Sequence, residues 1–127
     1  MKSKKKVVKP RVPRTHAGET WTKAEYFNFI RGALRKAAQR YPVKFQSKLD
    51  ARRSVQGKRH RYEYQCKHCT GWFVDRDVEV DHIIGAGTLT EYKHLPKFVE
   101  RLFCEPDNLQ VLCKPCHLIK TNKERRK

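Results

Sequence analysis

Acidic residues are scarce in this chain. Against 30 Lys and Arg it sets 13 Asp and Glu, which leaves a formal charge of +17 at pH 7 over 127 residues. Solubility alone does not call for so large an imbalance, and the simplest partner for it is a polyanion. Long apolar runs are also missing, so no segment reads as a membrane span, and no helix pairs a fully apolar face with a fully basic one. That removes the anionic membrane as partner and leaves nucleic acid. The basic opening MKSKKKVVKPRVPR is not followed by the apolar stretch a secretory signal needs. The expected location is therefore the cytoplasm, where thiols stay reduced and a cysteine pattern reads as a metal site before a disulfide. The turn GAGT lacks the GK[ST] ending of a phosphate-binding loop, and nothing repeats apart from two CxxC pairs.

What is present divides the chain into three. Residues 1–20 read as a disordered basic arm, because Lys, Arg and Pro bury too little surface to offset ordering entropy. Residues 21–61 read as an amphipathic helix followed by a basic linker, and residues 62–127 as a compact unit. In the helix, Thr22 and Glu25 fit a capping box, while Phe27, Ile30, Leu34 and Tyr41 recur at helical spacing. Its aromatic stripe is expected in the core. Its basic face, with Arg31 and Arg35, suits either solvent or DNA. Pro42 reads as the stop, and Lys44 to Arg61 as a linker or DNA-facing loop in which KLDARR is a weak further helical turn. Beyond it YEYQC, GWFV, VEVDHII and LQVLC read as short strands, and LPKFVERLF and PCHLIKTNKE as helices.

Four of the five cysteines form the knuckles CKHC and CKPC. Cys66, Cys69, Cys113 and Cys116 can close a tetrahedral four-thiolate site, for which structural Zn²⁺ is the expected ion, with an iron–sulfur cluster or a redox dithiol as the alternatives. The run CKPCH also matches a haem-attachment signature, but that reading leaves Cys66 and Cys69 without a purpose and lacks an export signal. Cys104, among apolar residues, reads as a buried inert thiol. His68 reads as a solvated turn residue, and Trp72 and Phe73 as packing over the zinc unit.

The set VDHII, EPDNLQVLC and CHLIKT resembles the HNH endonucleases, and more closely the small zinc-containing HNH proteins often encoded by bacteriophages. The resemblance covers Cys66 to Thr121. It implies an α+β fold: a small ββα-metal, treble-clef-like core with a four-cysteine zinc site, preceded by the N-terminal amphipathic helix. It further implies that His82 is the general base, that Asn108 supplies the orienting amide or carbonyl, and that Asp81 and His117 hold a catalytic divalent ion. An imidazole suits the base because its ordinary pKa lies near neutrality. The His117 nitrogen should widen the choice of ion from Mg²⁺ towards Mn²⁺ or Ni²⁺. The implied activity is hydrolysis of DNA phosphodiester bonds with low sequence specificity, as a nick or a double-strand break, by a monomer acting beside a phage terminase. A non-catalytic zinc-ribbon module binding nucleic acid is the alternative.

For DNA contact the candidates are Arg52, Arg53, Lys58, Arg59 and Arg61, with Lys120 on the last helix. One difficulty stands within VEVDHII itself. Successive strand residues face opposite ways, so Asp81 and His82 can share a phosphate only if the strand bends there or ends at Asp81.

Overall fold

A computed structural model describes residues 10–125 of the chain. Positions 1–9 of the expected basic arm lie outside the described residues. Within the remainder, His16 and Trp21 close a turn through reciprocal backbone hydrogen bonds of 3.0 Å, and the His16 ring packs 4.9 Å from Tyr26.

Helix α1 runs from Lys23 to Ala38, with both halves of the Thr22–Glu25 capping box formed. Its apolar stripe does what the spacing predicts. Phe27 is buried, and Tyr26, Ile30, Leu34 and Ala38 pack with it against Ala86, Leu89, Phe98 and Leu102. Helix α1 ends before Pro42 as expected, and Pro42 itself begins a second helix: α2 spans Pro42–Asp50. Proline fits there because the first turn of a helix has no intrahelical use for its N–H. The stretch read as a linker also contains strand β1, Arg52–Ser54.

Strand β1 pairs antiparallel with β2 (Tyr62–Gln65), which pairs antiparallel with β3 (Trp72–Phe73). A second antiparallel pair joins β4 (Val78–His82) to β5 (Leu109–Cys113), with Val78 opposite Cys113 and His82 opposite Leu109. Between β4 and β5 the chain makes a long excursion that includes helix α3, Leu95–Leu102. Helix α4, Lys114–Arg125, follows β5 without a gap and lies against both strands. The result is a small α+β domain.

Two separate apolar clusters hold it. One joins α1, α3 and the 86–89 loop; the other is the cysteine cluster itself, where Cys66, Leu112 and Cys113 are buried and Phe73 and Cys116 pack against them. Phe73 thus lies over the thiols as expected, whereas Trp72 carries the Arg53 guanidinium 4.0 Å from its ring centre. Among the described residues no helix is long and apolar enough to cross a membrane.

Candidate metal centre and catalytic cleft

Sequence-distant knuckles meet because β2 leads into the first and β5 into the second. The Lys67 N–H bonds the Val111 carbonyl at 2.8 Å and ties them together. Within the first knuckle the Cys69 N–H points at the Cys66 sulfur, and Thr70 turns the chain at φ 63°. Gly71 is required next, since a Cβ there would meet the Phe73 ring at 2.9 Å. The sulfurs of Cys66, Cys69, Cys113 and Cys116 all lie within 4.8 Å of one another. Cys69 and Cys113 are 3.8 Å apart, matching the roughly 3.8 Å expected of two thiolates about 2.3 Å from one tetrahedral ion.

The electrostatics favour a cation. Burial works against ionising Cys66, but the backbone donors of Cys113, Cys69 and His68 outweigh it and hold the thiol down at about 6. The neighbouring Cys113 thiol, burial and the other two sulfurs push Cys116 up to about 12. Four sulfurs this close cannot all ionise on their own. A divalent ion among them removes the conflict, and the cluster can hold zinc. Cys104 stands apart, buried, with its thiol raised by that burial.

The second centre is a cleft of about 400 Å³ lined by Asp81, His82 and His117 together with Arg35, Lys44, Lys120 and Glu124. Strand β4 keeps its pairing through His82 and ends there, two residues short of the VEVDHII run and one past Asp81. Asp81 turns towards α4 and Gln110, while His82, last in the strand, reaches the Leu102 carbonyl at the end of α3; the cleft spans both.

His82 Nε2 lies 3.0 Å from Leu102 O. A carbonyl only accepts, so Nε2 carries a proton, and in the neutral ring the lone pair is on Nδ1. The contact that orients His82 therefore comes from Leu102 and not from Asn108. Asn108 clasps a different backbone: its Oδ1 accepts from the Ile84 N–H at 2.8 Å and its Nδ2 donates to the Ile84 carbonyl at 3.1 Å. Its own carbonyl accepts from Ile83 N–H at 2.8 Å. The amide fixes the chain just after His82 without touching the ring.

His117 sits between two carboxylates, Nδ1 3.1 Å from Glu79 Oε2 and Nε2 3.5 Å from Asp81 Oδ1. When the ring is neutral and Nδ1–H is donated to Glu79, the Nε2 lone pair and the Asp81 oxygen are two acceptors facing each other. Ligands each about 2.1 Å from one ion stand roughly 3.0–3.4 Å apart, so the pair fits a divalent cation between them. Glu79 is a site residue that the sequence reading passed over. Its signal was its position two residues before Asp81, hence on the same strand face.

Lys120 is not a free phosphate ligand. Its ammonium donates to Asp81 Oδ2 at 2.8 Å, to Glu124 at 2.9 Å and to the His82 carbonyl at 2.7 Å. The expected DNA patch is similarly committed in part. Glu63, 6% exposed, collects Arg53 at 2.9 Å, Lys58 at 3.2 Å and His60 at 3.0 Å. The Arg53 hydrogen bond, then His60 and Lys58, hold the Glu63 carboxyl down at about 2 against the opposing effect of burial. Arg52 lies over the Tyr62 ring at 4.0 Å. Arg59 and Arg61 border a different groove, on the β2 side, with Tyr62, Tyr64 and Arg76. No family model matches the chain, and neither a curated protein nor a solved structure is significantly similar to it, so the chemistry of the cleft and the thiolate cluster rests on their own atoms.

Proposed function

We propose that the chain is a metal-dependent endonuclease of the HNH type that hydrolyses DNA phosphodiester bonds. In this reading β4, β5 and α4 form the ββα-metal core and the four cysteines hold a structural zinc. The observation that carries it is the contact of His82 Nε2 with the Leu102 carbonyl. A ring nitrogen with a free lone pair shares one cleft with an Asp–His pair spaced for a divalent ion.

Asp81 and His117 would hold that ion, and when bound it supplies Lewis-acid polarisation of the scissile phosphate and charge to offset the leaving oxygen. His82 Nδ1 takes a proton from water, whose oxygen then bonds to phosphorus. The bond from phosphorus to the 3′ oxygen breaks and the departing oxygen takes a proton from a solvent water, leaving a 5′ phosphate and a 3′ hydroxyl. Leu102 O keeps the imidazole in the reactive tautomer and stabilises the imidazolium that forms. Asn108 holds the backbone after His82 so that the ring does not drift. Glu79 holds the His117 ring.

The test is supercoiled plasmid incubated with the protein and Mg²⁺, Mn²⁺ or Ni²⁺, with and without EDTA. Relaxed or linear product is expected with metal alone. His82→Ala should abolish product while retaining metal and DNA binding, and His117→Ala should lose metal and product together. A mobility shift without product in any metal would instead favour the zinc-ribbon binder.

A further inference from the structure

We infer that Arg35 on α1 and Lys44 on α2 form the phosphate-holding wall of the cleft, so that the DNA strand to be cut is gripped by the N-terminal helices and not by the 52–61 segment. This rests on the nuclease reading.

A census of the cations leads there. Whatever holds the substrate must reach phosphates flanking the one at His82. Lys120 is occupied by Asp81 and Glu124. Arg53 and Lys58 close on Glu63, and Arg52 is stacked on Tyr62. Arg59 and Arg61 line a groove that shares no residue with the catalytic cleft. Arg35 and Lys44 line the cleft with Asp81, His82 and His117. Neither belongs to any of the salt bridges among the described residues, all of which are N–O contacts of 4.0 Å or less.

Arg35 is also held in place. The Arg35 guanidinium rests over the ring of Phe98, 5.8 Å from its centre, and Phe98 is fully buried. That support steadies the cation while its N–H donors remain available for a phosphate. Lys44 lies in the first turn of α2, which contains no acidic residue and no side-chain cap. A cation there adds to the positive end of the helix dipole instead of offsetting it, an arrangement that an incoming anion relieves. Asp81, His117 and Glu124 line the cleft from β4 and α4, and Arg35 and Lys44 line it from α1 and α2. A phosphodiester between them meets metal ligands on one side and unpaired cations on the other.

The test measures anisotropy of a short labelled duplex in EDTA, where no cleavage occurs, for wild type, Arg35→Glu/Lys44→Glu and Arg59→Glu/Arg61→Glu. Thermal melts and zinc content confirm that each variant is folded. The cleft pair should bind at least about tenfold more weakly near 0.15 M salt, and its salt slope should be shallower by about two counterions. Arg35→Lys/Lys44→Arg should restore most of the affinity. An unchanged affinity for the cleft pair, or an equal loss in both Glu pairs, would overturn the inference. Plasmid cleavage by the wild type with metal separates the two ideas. Cleavage with an unaffected cleft pair defeats only the phosphate wall, while a weakened cleft pair without wild-type cleavage defeats only the nuclease.

Discussion

His117 Nδ1 lies 3.1 Å from Glu79 Oε2, which places a carboxylate behind the ring nitrogen that faces away from Asp81. Such a partner fixes the tautomer and raises the basicity of the other nitrogen. Glu79→Gln should therefore weaken Mn²⁺ binding by roughly 10–100-fold, read by calorimetric titration. Glu79→Asp should recover part of it, and the zinc content should stay constant in both. Unaltered Mn²⁺ affinity in Glu79→Gln would show that the contact does not position the ligand.

Lys120 suggests the opposite sign. Its ammonium shares the Asp81 carboxylate with any incoming ion, at 2.8 Å from Oδ2. Lys120→Met removes that competitor, so Mn²⁺ should bind several-fold more tightly. Thermal stability without the divalent ion should fall, because Asp81 and Glu124 are then left facing each other. Weaker Mn²⁺ binding would mean that Lys120 organises the site more than it competes for it.

Glu63 sets the acid limb of stability. Its carboxyl is held at about 2 in the folded chain, against 4.5 when unperturbed. A depressed carboxyl contributes stability that is fully present above the unfolded value and is lost as pH falls through the folded one. Melting temperature should thus decline between about pH 4.5 and pH 2 on this account. Glu63→Gln should lower it at pH 7 and flatten that decline, since Arg53, Lys58 and His60 then face one another without an anion.

Removing zinc should unfold more than the knuckles. The thiolate cluster is one of the two apolar clusters, and β5 delivers Cys113 directly into α4. Treatment with a strong chelator, or Cys66→Ser, should eliminate the cooperative melt of the domain. A melt unchanged after chelation, with zinc loss verified by elemental analysis, would exclude a structural role for the ion.

The parts of this architecture that depend on periodicity and short-range chemistry were legible in the sequence. The Thr22–Glu25 box, the stripe from Phe27 to Ala38 and the CxxC pairs each carry their signal within a few residues. Helix α2 was hidden because Pro42 signals an end and a beginning with the same residue. Glu79 was hidden because an acid on an exposed strand face usually has no partner, and only the fold brings α4 over it. The Leu102 contact was beyond reach for another reason: it is a main-chain carbonyl, so any residue at that position offers it. In the charged patch at 52–61 the run of cations hid the buried acid Glu63 that gathers Arg53 and Lys58.

The clasp at Asn108 has a consequence for the excursion between the two halves of the site. Ile83 and Ile84 are bonded to Asn108, and His82 to Leu102, so both ends of the excursion are fastened around the His82 ring. The geometry around the imidazole is thus kept by fastenings of its own, while Leu89, buried against α1 and α3, anchors the middle of the excursion separately, so each part can be disturbed without the other.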